Sequence, residues 1–155
     1  MSLEVAKFLL QAAISVAGAF LAAYLAGKRF RNERWWEKKA AAYAELVDAL
    51  HKMKWPYSEH LDAAMEQRDI SKDESTSLWE EFKTARRNVW RIADSSSFLI
   101  SPEVMKAVQK MEQALGDART ADSWFEHLDA HYGAINSCLS TVKEIGKKEL
   151  GVHDA

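Results

Sequence analysis

One cysteine, two prolines and six glycines leave this 155-residue chain little with which to build disulfides, tight turns or a sheet. A lone thiol, Cys138, excludes an intramolecular disulfide, a CxxC pair and a Cys-rich zinc knuckle, and fits a reducing compartment. A formal charge of −2 removes the global positive field that nucleic-acid-binding domains usually carry, so nucleic acid is not an expected partner. With so little glycine there is no P-loop, no dinucleotide fingerprint and no GxSxG elbow. No enzyme is expected on these grounds, and no cofactor.

What is abundant is Ala, Leu, Glu and Lys, residues that lose little entropy in a helix. At this length the chain holds one compact domain plus a short appended segment, and the composition makes that domain all-α. From Phe8 to Ala26 the sequence FLLQAAISVAGAFLAAYLA carries no formal charge. At about 1.5 Å per residue it approaches the ~30 Å hydrocarbon thickness, which predicts a transmembrane helix. The n-region lacks basic residues, which argues against a cleaved signal peptide.

Lys28, Arg29, Arg31 and Arg34 follow at once, interleaved with Tyr24, Phe30, Trp35 and Trp36. Basic residues beside a span favour the cytoplasmic side, and amphipathic rings favour the headgroup layer. The expectation is therefore a single-pass inner-membrane protein with its N-terminus outside. These eight residues form its membrane interface, touching anionic headgroups. Ser15, Gly18, Ala19, Ala22, Ala23 and Gly27 recur at small-xxx-small spacing and predict association of such helices, hence a homo-oligomer or a protein partner. The domain boundaries expected are 1–27 for the anchor and 28–155 for a cytoplasmic bundle whose first helix continues from the anchor.

Between Lys28 and Lys54 nothing interrupts the helix, and Trp36, Ala40, Tyr43, Val47 and Leu50 mark a coiled-coil-like apolar seam. Pro56 predicts a stop near Trp55 and a short second helix carrying Leu61, Ala64 and Met65. Ser71-x-x-Glu74 and Ser123-x-x-Glu126 are capping-box spacings, and Ser101-Pro102-Glu103 is a helix start. The helices they open carry the stripes Leu78, Phe82, Ala85, Val89 and Ile92, then Val104, Val108, Met111 and Leu115. The last stripe runs through Trp124, Leu128, His131, Ile135, Cys138, Val142 and Ile145. Four or five amphipathic helices with short connections imply a bundle.

Three stretches, FRNERWWEKKAAAYAELVDALHKMK (30–54), EFKTARRNVWRIADSSSFLISPEVMKAV (81–108) and INSCLSTVKEIGKKEL (135–150), resemble a group of uncharacterised bacterial single-span membrane-anchored helical proteins. The resemblance implies the same architecture and localisation and brings no activity or catalytic residue with it.

Candidate chemistry is sparse. His127 and His131 lie one turn apart in HLDAH, a spacing at which two imidazoles can share a metal, but Leu128 stands where HExxH needs its general base. A hydrogen-bonded core histidine is the commoner outcome at a position like His131. Cys138 lies on the same apolar stripe, where a thiol acts as a small hydrophobe. Lys83, Arg86, Arg87 and Arg91 form the densest basic group and could hold an anion or an acidic partner, against the simpler reading of a solvated face with local ion pairs. The function expected is a non-enzymatic, membrane-anchored interaction or scaffold module that self-associates. The alternative is a membrane-acting effector or signalling regulator working through association of the spans.

Overall fold

The computed structural model describes the backbone of residues 3–118 and 122–152, and the side chains of these residues from Gly18 onward. Four helices are present among them and no strand: α1 Leu3–Met65, α2 Lys72–Ser95, α3 Pro102–Asp117 and α4 Trp124–Leu150. The chain divides into two units, Met1–Glu37 and Lys38–Ala155.

Among the described residues no helix is long and apolar enough to cross a membrane. The segment Gly18–Gly27, whose side chains are described, leads without a break in the helix into Lys28, Arg29 and Arg31. Four of its ten residues are alanines, which contribute almost nothing to insertion. Phe8 to Ala17 of the expected span, Ser15 with them, lie outside the residues whose side chains are described. The single-pass inner-membrane localisation is corrected accordingly. The N-out orientation and the contact with anionic headgroups assigned to Tyr24, Lys28, Arg29, Phe30, Arg31, Arg34, Trp35 and Trp36 lose their basis with it, as does the membrane-acting alternative.

The larger unit holds the core. The α1 residues Tyr43, Leu46, Leu50, Met53 and Tyr57 follow 3-4-3-4 spacing and are all buried. Trp36 and Val47 of the expected seam are not, Trp36 being half exposed and Val47 partly covered. Shifting the seam to include Leu46 and Met53 buries two long unbranched or γ-branched side chains instead, each worth about 1.5–3 kcal/mol. Val89 and Ile92 from α2, Val104 and Val108 from α3, and Leu128, Ile135 and Val142 from α4 complete the cluster.

Pro56 does not end α1. It sits inside the helix with its ring fully buried, and the helix continues to Met65. An interior proline costs about 3 kcal/mol through a lost hydrogen bond and a clash with the carbonyl four residues back. Burial of Pro56, Tyr57 and Leu61 against the bundle offsets that cost. The expected first two helices are thus one, which makes four among the described residues.

The expected starts are found where the sequence places them. The hydroxyls of Ser71 and Ser123 accept from the backbone N–H of Glu74 and Glu126, each at 3.2 Å. α3 opens with Pro102 after an extended Ser101. α4 closes on Gly151 at φ 67°, the left-handed conformation that glycine adopts without strain.

Candidate functional site

Three places in the larger unit gather chemistry. The first is an aromatic and imidazole cluster joining α1, α2 and α4. Tyr57 meets Trp79 and Phe82 edge-on at 5.1 and 5.2 Å between ring centres and stacks on His131 at 5.0 Å. The His131 ring centre lies 4.0 Å from that of His127, which also stacks on Trp124 at 5.3 Å. His60 packs on Trp79 at 4.7 Å. Edge-on and offset rings of this kind contribute about 0.5–1.5 kcal/mol per pair beyond area burial.

The hydrogen bonds fix the tautomers. A carbonyl oxygen only accepts, so Nδ1 must be protonated in all three imidazoles. His60 donates to the Pro56 carbonyl at 2.7 Å, His131 to the His127 carbonyl at 2.8 Å, and His127 to the Ala118 carbonyl at 3.2 Å. The Nε2 of His60 then accepts from the Ser75 hydroxyl at 3.1 Å. His127 and His131 therefore come together as their spacing suggested, within an aromatic stack. Among the described residues no group of three His, Cys, Asp or Glu could hold a metal ion.

The second place is the basic group on α2. Arg86 makes a two-pronged ion pair with Glu112 of α3, Nε lying 2.9 and 3.1 Å from the two carboxylate oxygens and Nη2 closing the fork. Trp90 Nε1 donates to the same carboxylate at 3.2 Å. Lys83 pairs with Glu80 at 2.7 Å, and Arg87 reaches the Thr84 hydroxyl at 3.4 Å. Of the four expected anion binders Arg86 is thus engaged between helices, while Lys83, held in a surface pair, and Arg87 and Arg91 are exposed to solvent. The partner of Arg86 was not legible in sequence, because Glu112 lies 26 residues away on another helix.

The third place was not anticipated at all. Between α3 and α4 runs an open groove of about 460 Å³. Ala107, Met111 and Ala114 form its α3 wall, and Ala134, Ser137 and Thr141 its α4 wall. Cys138 is buried beneath it, and burial, with the Glu112 carboxylate adding to it, pushes that thiol up to about 12. At neutral pH it is a protonated, apolar surface and not a nucleophile. Lys106 and Lys110 stand on one rim, with Glu103 at the end of the same helix. The legible signal was the run of small residues flanking each buried stripe, which leaves a trough where larger side chains would have met.

At the far end of α4, Glu149 ties the bundle to α1. It accepts from Lys39 Nζ at 2.7 Å and from the Tyr43 hydroxyl at 2.8 Å. Burial opposes its ionisation, yet these donors prevail and hold its carboxyl below the usual range. Burial and the same carboxylate raise the Tyr43 phenol, which stays protonated.

In the smaller unit, Ala19, Ala22, Ala23, Tyr24, Phe30, Trp35 and Trp36 are exposed, as are Lys28, Arg29, Arg31 and Arg34. Gly18 has open space where a Cβ would stand, and Gly27 has only the Arg31 guanidinium nearby, at 3.8 Å. Arg29 pairs with Glu33 at 2.9 Å, and Arg34 lies over the Phe30 ring at 4.8 Å.

No family model matches this chain, and neither a curated protein nor a solved structure matches it.

Proposed function

We propose that this chain is a non-enzymatic helical interaction module that self-associates through the first part of α1. The observation that carries the reading is the exposure of Phe20, Leu21, Tyr24 and Leu25, each more than half accessible. Their i, i+1, i+4, i+5 spacing sets them on one helical face. Large apolar side chains grouped in this way mark an interaction surface, and each contributes about 1.5–3 kcal/mol when fully buried. A second copy of the same face meets that need without any further component. Ala19, Ala22 and Ala23 on the other side of the helix would let a third helix approach closely.

Two features support the non-enzymatic part of the reading. The Cys138 thiol is protonated and buried, and the imidazoles of His60, His127 and His131 are engaged in backbone hydrogen bonds and ring stacking. The test is sedimentation equilibrium over a wide concentration range. The wild-type chain is expected above monomer mass. Phe20→Gln, Leu21→Gln, Tyr24→Gln and Leu25→Gln together should return it to monomer with the thermal unfolding of the bundle unchanged. A wild-type chain that stays monomeric throughout would refute the proposal.

A further inference from the structure

We propose that the groove between α3 and α4 binds a single-chain amphiphile with a carboxylate head, of the medium-chain fatty-acid class. The argument begins with size. From Lys106 to Ala114 on α3 the groove follows eight residues, about 12 Å of helix, enough for most of an extended chain of about a dozen carbons. Its volume of about 460 Å³ lies within the range of small-molecule sites, roughly 300–1,000 Å³. A protein partner is a poor match for so small a trough, since stable protein interfaces bury about 800 Å² on each side.

Chemistry decides the rest. The floor is apolar, made by Ala107, Met111 and Ala134 with the protonated Cys138 beneath, and therefore takes a hydrocarbon chain. Lys106 and Lys110 are one turn apart, about 6 Å along the axis; Lys106 feels the Glu103 carboxylate, but among the described residues neither lysine is closed into a salt bridge. Long flexible side chains at that separation can bring both ammonium groups to one carboxylate while their stems cover the chain below. Glu103 at the end of the groove repels an anion there and directs the head toward the two lysines. A cationic head meets no such arrangement. The groove lies wholly within the larger unit and does not depend on the self-association proposed above.

Calorimetric titration with dodecanoate below its micelle concentration tests this, with dodecyltrimethylammonium as the cationic control. One dodecanoate per chain is expected, and at least about tenfold weaker binding of the cation, a difference of ~1.4 kcal/mol. Lys106→Gln with Lys110→Gln should weaken dodecanoate about tenfold. Ser137→Trp, at an exposed position on the α4 wall, should abolish binding by filling the groove. Should that variant lose its helical circular dichroism, Thr141→Trp takes its place and the lysine pair still decides. The Phe20→Gln, Leu21→Gln, Tyr24→Gln, Leu25→Gln chain must bind dodecanoate as the wild type does. Equal binding of the cation, indifference to the lysine changes, or loss of binding in that α1 variant would each overturn the proposal.

Discussion

Gly146 lies within α4, four residues before its end, where glycine costs up to about 1 kcal/mol relative to alanine, so Gly146→Ala would ordinarily stabilise the protein. Here the sign reverses. A Cβ at this position would stand 3.0, 3.3 and 3.4 Å from three atoms of the Tyr43 ring. That ring is buried, and its hydroxyl is tethered to Glu149, which Lys39 holds in turn. With both ends of the side chain fixed, the ring cannot shift cheaply, and overpacking of this kind costs about 1–3 kcal/mol. Set against the propensity gain of about 1 kcal/mol, the expected result is a net loss of about 1 kcal/mol.

Gly133 on the same helix is the control. Nothing lies within 4 Å of its would-be Cβ, so Gly133→Ala should stabilise by up to about 1 kcal/mol. Urea unfolding followed by tryptophan fluorescence measures both, and the two variants should differ by about 2 kcal/mol. Tyr43→Phe releases the tether and keeps the ring, so Gly146→Ala in that background should cost less than in the wild type, a coupling that a double-mutant cycle reads directly. If Gly146→Ala proved as stabilising as Gly133→Ala, the close approach of α4 to Tyr43 would be refuted.

Other perturbations follow from the same geometry. Arg86→Ala leaves the Glu112 carboxylate, whose side chain is 14% exposed, without its counter-charge and with Trp90 as its remaining donor, and should destabilise by about 1–3 kcal/mol in urea unfolding. Burial, with Lys143 Nζ at 3.4 Å from Nε2, lowers the His51 pKa. The folded state therefore binds fewer protons there than the unfolded chain. The contribution of His51 is complete above the ordinary value near 6.5 and is lost as pH falls through its lower folded value, so His51→Gln should flatten the stability profile in that window. Glu149, also lowered, gives the same sign further down: its contribution is present above the ordinary carboxylate range and lost as acid titrates it, and Glu149→Gln should remove that part of the acid limb. Cys138, pushed up to about 12, should resist alkylation by iodoacetamide at pH 8 in the native state and react once urea exposes it; rapid native labelling would contradict its burial.

The helical class, three of the four helix starts and the four-residue buried stripe of α3 were legible because each depends on residues close in sequence. A serine cap reads the amide three positions on, and a stripe repeats every three or four residues. The α1 seam was half legible: Tyr43 and Leu50 belong to it, while Trp36 only has the right spacing. Local rules also misjudged Pro56, since the proline penalty is a property of the helix and its compensation a property of the bundle.

What only the tertiary structure decided is what lies across helices. It spends Arg86 on Glu112, stacks Tyr57 on His131, sets Gly146 against Tyr43, and opens a groove where small residues of α3 and α4 face each other. The apolar N-terminal run reads as a span by hydropathy alone, yet among the described residues no helix is long and apolar enough to cross a membrane. Side-chain periodicity is written along the chain; which face meets which, and what remains uncovered, is settled only by how the helices pack.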